Sequence, residues 1–207
     1  MPFASIKKTW NVIRNVPFIV WLWIAQLFLL IEAPVIVSAE AVNSLRMTLL
    51  VYMLAQLMFI GPNILKIKVP GLQMNINQSL PWFVGGFIVT VIAVGGFSKL
   101  PSFGIETYSL SAPFYLIIFH AAVVAVSENL VFFGLLSSIV TPYVACPLFG
   151  IFHAAAYGLD YVAIFVAIVA GFVFYAIIKV TNIWMSMGVH AGYNVQVIMK
   201  IFGMLGR

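Results

Sequence analysis

The chain has 207 residues, of which 64% are hydrophobic and only 7% are charged. Soluble domains are close to half apolar and a quarter charged, so this composition argues against a water-soluble enzyme or a disordered tail. Ten Lys and Arg residues outnumber five Asp and Glu residues, yet the cations are scattered and form no basic stripe that could follow a phosphate backbone. The sequence therefore predicts a polytopic membrane protein that does not bind nucleic acid.

Seven apolar segments follow one another along the chain, separated by prolines, glycines and the few charged residues. A helix needs about 20 residues to cross a bilayer, and these segments lack the alternation of a membrane β-barrel. The sequence thus predicts an all-α bundle of about seven transmembrane helices, in a single membrane domain over residues 1–207. The predicted segments are Val16–Ala39, Met47–Leu65, Pro81–Phe97, Ala112–Ile139, Tyr143–Gly158, Tyr161–Lys179 and Ile183–Phe202.

The first segment is too long for a signal peptide and has no small-residue cleavage site at its end, so we expect it to remain as the first span. The distribution of cations then predicts a cytoplasmic N-terminus, because more of them fall on that side of the membrane. The cations expected on the cytoplasmic side are Lys7, Lys8, Arg14, Lys66, Lys68 and Lys179, and those on the opposite side are Arg46, Lys99, Lys200 and Arg207.

Five ionisable residues lie inside the apolar segments: Glu32, Glu128 and all three histidines, His120, His153 and His190. An ionisable group at membrane depth is unfavourable, and function usually explains its presence. Glu128 is too far from either end of its segment to reach the headgroups, so it needs a partner or a water pocket. For Glu32, a position near the membrane surface and one inside the bilayer are equally compatible with the sequence. His120 belongs to no motif, so we expect it to have a packing or interfacial role.

Two short motifs follow Glu128 along the chain. Phe149 precedes His153 by four residues, so the two share a helix face and Phe149 can orient the imidazole. His190 and Asn194 are likewise one helical turn apart, and small residues beside both histidines allow close packing of helices. A single buried histidine is more often a packing group, but the combination with Glu128 and Asn194 indicates a functional site.

Peptide hydrolysis within a membrane needs a base that activates water and donors that stabilise the oxyanion. Glu128 and His153 could share such a water molecule. Other classes of intramembrane protease fit less well, because the chain has a single aspartate, Asp160, no His-Glu-x-x-His helix and no Gly-x-Ser-x-Gly elbow. The preferred interpretation is therefore a metal-independent hydrolase without a cofactor.

The order of these motifs resembles the CPBP family, which comprises the CAAX prenyl proteases and related bacteriocin-processing and immunity proteins. The family's first motif reads Glu-Glu-x-x-x-Arg-Gly, and this chain matches it at Glu128 and Gly134. Asn129 stands where the second Glu is expected, and Phe133 where the Arg is expected. The resemblance covers residues 112–200, including the segment from Thr181 to Trp184 that leads into the last helix, whereas residues 1–111 supply additional membrane helices without a motif.

The resemblance implies an intramembrane glutamic-type endopeptidase in which Glu128 activates water together with His153. It assigns His190 and Asn194 as the oxyanion donors, and Asn129, Phe133 and Phe149 as residues that shape the site. The implied protein is a multi-pass integral membrane protein in contact with membrane lipid, and its substrate is a membrane-associated or lipidated peptide. By analogy, the small size favours a prokaryotic or viral-host plasma membrane.

Two alternatives stay open at this point. The departures at Asn129 and Phe133 also suit a catalytically inactive relative that binds a membrane partner or confers immunity. In the other alternative, Glu128 and the histidines ligate a divalent metal such as zinc, since carboxylate and imidazole are both suitable ligands, and the protein is a metal-dependent hydrolase.

Overall fold

The computed structural model describes residues 18–57, 69–72, 76–95, 108–109, 111–154 and 160–201. This part of the chain is helical, which confirms the predicted all-α class for the residues described. The helices are α1 (Phe18–Ile36), α2 (Val42–Gln56), α3 (Ile76–Gly95), α4 (Phe114–Glu128), α5 (Pro142–Phe152), α6 (Tyr161–Val180) and α7 (Ile183–Ile201). Helix α4 continues directly into a π-helical segment, Asn129–Leu136, which ends in the short turn Ser137–Ile139.

Three of the described helices are long and apolar enough to cross a membrane: Phe18–Ile36, the continuous run Phe114–Ile139, and Tyr161–Val180. Two shorter apolar stretches, Asn77–Ala93 and Pro142–Phe152, fall below this length. The structure is therefore consistent with a membrane protein, while the count of seven spans stays a prediction.

Polar and apolar side chains are distributed in the manner expected of a protein surrounded by lipid. Ile31 of α1 and Ile92 of α3 are 72% and 74% exposed, and Val162 of α6 is 68% exposed. Two glutamines, Gln26 of α1 and Gln56 of α2, are by contrast completely buried. An exterior of large apolar side chains is unfavourable in water but suits lipid, and a polar amide at membrane depth is better placed inside the protein than against lipid.

The π segment lies at the centre of the bundle, where it contacts α2, α5, α6 and α7. Helix α7 also packs against α3 and α4, and α1 packs against α2 and α4. Arg46 at the start of α2 donates a hydrogen bond from Nε to the Leu30 carbonyl of α1 at 3.2 Å. This arrangement brings the π segment and the inner face of α7 together in the core.

Helices α3 and α7 approach each other through glycines. A Cβ atom on Gly192 would lie 2.9 Å from the Phe87 carbonyl oxygen, and one on Gly188 would overlap the Phe83 carbonyl. Gly86 occupies the reciprocal position on α3, against the Met185 carbonyl of α7. The close packing predicted from the small residues beside His190 is therefore confirmed, and it fixes the position of that histidine relative to α3.

The boundaries of several predicted segments differ from the structure. Helix α1 ends at Ile36 rather than at Ala39, and helix α2 begins at Val42 rather than at Met47. The predicted end of the second segment, Leu65, lies outside the described residues. Helix α3 begins at Ile76 rather than at Pro81, because Asn77 and Gln78 continue the helix although they are too polar for an apolar segment. Helix α5 ends at Phe152, and the predicted end at Gly158 lies outside the described residues. Most cations behind the orientation prediction also lie outside them, namely Lys7, Lys8, Arg14, Lys66, Lys68, Lys99 and Arg207.

Candidate functional site

The transition from α-helix to π-helix occurs at the residue that the sequence singles out. Glu128 is the last residue of α4, and the π segment begins at Asn129. A π-helix shifts the backbone hydrogen bonds by one residue, and such segments are frequent at functional sites. Side chains bond to carbonyls here: Asn129 Nδ2 donates to the Ala125 oxygen at 2.9 Å, and Ser138 Oγ to the Gly134 oxygen at 2.6 Å. Glu128 and Asn129 are consecutive and both buried, with 5% and 0% exposure.

The Glu128 carboxylate is the meeting point of four helices. Its Oε2 atom lies 3.4 Å from Nε2 of His190 on α7, and its Oε1 atom lies 3.9 Å from Nε2 of His153, at the end of α5. The hydroxyl of Tyr52 on α2 donates to Oε1 at 3.0 Å. The separation from His153 is too long for a direct hydrogen bond and suits one bridging water molecule.

His153 is oriented by Phe149, as the four-residue spacing predicts. The Nδ1 atom of His153 lies 2.7 Å from the Phe149 carbonyl oxygen, and the centroids of the two rings are 4.4 Å apart. A carbonyl can only accept, so Nδ1 carries the proton in this bond and Nε2 is directed toward the carboxylate. The backbone and the ring of one residue therefore fix both the tautomer and the plane of His153.

Phe133, which replaces the arginine of the family motif, is a buried member of an aromatic cluster. Its ring lies 5.0 Å from that of Phe149 and 5.9 Å from that of Phe174. Phe174 in turn stacks on His190, with ring centroids 4.3 Å apart and an angle of 20° between the planes. Phe133 therefore packs against Phe149 and Phe174, and these two rings in turn contact His153 and His190.

Asn129, which replaces the second glutamate of the motif, contacts His190 rather than Glu128. Its Nδ2 atom lies 2.9 Å from Nδ1 of His190. Its Oδ1 atom accepts a hydrogen bond from Ser186 Oγ at 2.8 Å. Asn129, supported by Ser186, therefore holds the Nδ1 side of the His190 imidazole, while the Nε2 side faces Glu128.

A small cavity of about 40 Å³ opens beside the histidines. Its polar lining comes from His153, His190, Tyr193 and Asn194, and α6 supplies a wall of small residues, Ala163, Ala167 and Ala170. A space of this size holds a water molecule or two. His153, His190 and Asn194 therefore share one cavity, and Glu128 lies behind the two imidazoles in contact with both.

Two polar residues that contact Glu128 or Asn129 were not predicted from the sequence, namely Tyr52 and Ser186. Ser186 precedes His190 by the same four residues that separate His190 from Asn194, so the polar spacing on this face of α7 could have revealed it. Tyr52 offers a weaker signal, since only the buried Gln56 one turn later suggests that this face of α2 is polar. Nothing in the order of residues indicates that α2 packs against Glu128.

His120 and Glu32 lie apart from the group formed by Glu128, His153 and His190. His120 Nδ1 lies 3.0 Å from the Tyr108 hydroxyl, and the two rings pack edge to face, which agrees with the expected packing role. Glu32 is half-buried in α1, two residues before Pro34. Among the described residues, no group of three His, Cys, Asp or Glu side chains is arranged to hold a metal ion.

Comparisons with protein-family models, with curated proteins and with solved structures find no match. The resemblance to the CPBP family therefore rests on the motif residues themselves. The function of the site has to be inferred from the geometry around Glu128.

Proposed function

We propose that this protein is a multi-pass intramembrane endopeptidase of the CPBP type, in which Glu128 activates a water molecule for attack on a peptide bond. The observation that carries the proposal is the convergence of two imidazoles from α5 and α7 on the two oxygens of one buried carboxylate, at 3.9 and 3.4 Å. Asn194 lines the cavity that the two imidazoles share. A base, a water-sized space and donors for an oxyanion are thus close together.

The hydrolysis needs no group beyond these residues. A water between Glu128 Oε1 and His153 Nε2 can donate one hydrogen to each, which directs its lone pairs toward a peptide carbonyl carbon. As the oxygen–carbon bond forms, Glu128 takes one proton and loses its negative charge. The Nε2–H of His190, which faces Glu128 Oε2 at 3.4 Å before the reaction, can then turn to the oxyanion and stabilise it together with the amide of Asn194. Transfer of the proton to the amide nitrogen breaks the carbon–nitrogen bond and releases a carboxylic acid and an amine.

The apolar exterior supports a substrate that is itself in the membrane. Exposed aliphatic side chains on α1, α3 and α6 surround the site with lipid-facing surface, so a peptide would reach the cavity from the bilayer or its interface. A membrane-associated or lipidated peptide is therefore the proposed substrate class. We extend the proposal to seven spans and to the plasma membrane of a prokaryote or viral host, by analogy with the family.

The inactive relative is the second candidate, and Phe133 is the observation that favours it. The family's arginine is replaced by a side chain that only packs, so the charge that would accompany the carboxylate is missing. The metal-dependent alternative has less support, because a metal ligand must offer a lone pair. In His190 the Nδ1 lone pair faces the Asn129 amide at 2.9 Å. The neutral ring then carries its proton on Nε2, so the nitrogen that faces Glu128 has no lone pair to offer a metal.

Cleavage assays on the full chain in proteoliposomes test the proposal, with quenched-fluorescence transmembrane peptides offered with and without a prenyl group. Glu128→Gln should lower the rate at least about 100-fold, as expected for loss of a catalytic base. Glu32→Gln is the matched control and should cleave at the wild-type rate. Cleavage that survives Glu128→Gln overturns the proposal, and cleavage abolished by chelation and restored by zinc favours the metal-dependent alternative.

A further inference from the structure

His190 is held by a chain of hydrogen bonds that runs away from the cavity. The Ser186 hydroxyl has a single hydrogen, which it shares between Asn129 Oδ1 at 2.8 Å and the Phe174 carbonyl oxygen at 3.0 Å. Asn129 Nδ2 lies 2.9 Å from His190 Nδ1. All three side chains are buried, with Asn129 and Ser186 at 0% and His190 at 3% exposure. At this burial a mismatch between donors and acceptors would leave a polar group unpaired, so the bonds constrain which atoms carry hydrogens.

The Ala125 carbonyl settles the orientation of the Asn129 amide. This carbonyl can only accept, and the Asn129 atom 2.9 Å from it must therefore be the NH₂ group. The second hydrogen of that group points to His190 Nδ1, while Ser186 donates to the amide oxygen on the other side. His190 Nδ1 must then be an unprotonated acceptor, so the neutral ring carries its proton on Nε2.

We infer that Asn129, supported by Ser186, is a positioning residue that holds His190 as the Nε2–H tautomer, while the Phe149 carbonyl holds His153 as the opposite, Nδ1–H tautomer. Glu128 thereby faces the His190 donor on its Oε2 side, and on its Oε1 side it faces the unprotonated nitrogen of His153 in addition to the Tyr52 hydroxyl that donates to it. The inference rests on the proposed function only for its consequence, which is that His190 supplies the oxyanion donor and His153 the base that shares the water.

A carboxylate at position 129 could not hold His190 in the Nε2–H tautomer. An ionised carboxylate can only accept, so it would require a proton on His190 Nδ1 and would turn the Nε2 lone pair toward Glu128 Oε2. It would also place a second negative charge beside Glu128. The asparagine is therefore matched to this arrangement of α4 and α7, and its presence is not by itself a sign of lost activity.

Nitrogen-15 NMR of the full chain, labelled only at histidine and held in detergent micelles, tests the inference. The chain has three histidines, so the spectrum is simple, and His120→Gln and His153→Gln assign it. At alkaline pH, where the rings are neutral, wild-type His190 should show an unprotonated Nδ1 and His153 an unprotonated Nε2. A wild-type His190 with its proton on Nδ1 overturns the inference directly.

Asn129→Leu removes the amide donor and keeps a branched side chain of similar size. Glu128 Oε2 lies 3.4 Å from His190 Nε2 and also favours the Nε2–H tautomer, so Asn129→Leu is compared with its parent in a Glu128→Leu background. In that parent the preference of His190 for Nε2–H should be about tenfold or more, and it should fall toward an even mixture when Asn129→Leu is added, since one buried hydrogen bond then separates the tautomers. Asn77→Leu, on the exposed start of α3, is the matched control and should leave the tautomer unchanged. An unchanged His190 signal when Asn129→Leu is added to folded Glu128→Leu also overturns the inference. The readout needs no substrate, so a correct tautomer without cleavage contradicts only the proposed function.

Discussion

The hydroxyl of Tyr52 donates a 3.0 Å hydrogen bond to Oε1 of Glu128, although 76 residues separate the two along the chain. Tyr52 belongs to α2, in the part of the sequence that carries no motif, and it is 1% exposed. The carboxylate therefore depends on a donor from outside residues 112–200. Helix α2 is therefore part of the candidate site, and not only one of the additional helices of residues 1–111.

Replacing Tyr52 by Phe should destabilise the protein and slow cleavage, because a buried carboxylate oxygen loses its hydroxyl donor. A hydrogen bond to a charged or chargeable group contributes about 1.5–3 kcal/mol. Denaturant unfolding in micelles should show a loss of this size. Tyr115→Phe provides the control, since Tyr115 is 70% exposed on α4 and should unfold like the wild type. Equal stability of the two variants would remove Tyr52 from the site.

The glycines of α3 allow a paired experiment on the contact with α7. A methyl group on Gly86 would meet the Met185 carbonyl and lie 3.0 Å from the Val189 amide nitrogen, whereas one on the adjacent Gly85 meets nothing within 4 Å. Gly86→Ala should therefore lower the free energy of unfolding by about 1–3 kcal/mol through overpacking. Gly85→Ala should be neutral or gain up to about 1 kcal/mol from helix propensity. Thermal unfolding of both variants measures the difference, and matching midpoints would show that α3 and α7 are not in contact.

Several features could be predicted from the sequence because they depend on local spacing. Four-residue intervals put Phe149 beside His153 and His190 beside Asn194, and the rarity of charge inside apolar segments pointed to Glu128. The convergence of these groups then follows, because lipid leaves a charged group no other favourable place than the interior. The approximate positions of the helices can be predicted for the same reason, since composition separates long apolar segments from polar connections, although it misses the more polar starts of α2 and α3.

Other features depend on tertiary packing and have no local pattern. The π segment at Asn129–Leu136 has a composition that serves equally well in an α-helix, and contacts with four surrounding helices accompany its different backbone register. The contact of Asn129 with His190 follows from that register. The CPBP motif that the sequence resembles has a glutamate at the corresponding position, and the hydrogen bond that the asparagine makes is visible only once α7 is in place.

Orientation in the membrane is predicted by the cation count and can be measured with reporters. An enzyme reporter fused after Lys68 should lie on the same side as one at the N-terminus, because an even number of predicted spans separates them. A reporter after Lys99 should lie on the opposite side, across the predicted span that overlaps α3. Agreement between the Lys68 and Lys99 fusions would mean that α3 does not cross the bilayer.

The wall of small residues on α6 should control access of water and the peptide carbonyl to the site. Ala167 is buried and lines the cavity of about 40 Å³ beside His153 and His190, so the side chain of Ala167→Leu would occupy most of that space. Displacement of the water or misplacement of the carbonyl by about 1 Å is enough for a loss of about 100-fold. Cleavage by this variant should fall by that order.

Val169 lies two residues further along α6 and is 46% exposed on the outer face, so Val169→Leu makes a comparable enlargement away from the cavity and should cleave like the wild type. Overpacking by Ala167→Leu costs about 1–3 kcal/mol, so unfolding midpoints of both variants are needed to separate a blocked site from a lost fold. Ala167→Val, with a smaller side chain, should give an intermediate rate. A folded Ala167→Leu protein that cleaves at the wild-type rate would show that the reaction takes place elsewhere in the molecule.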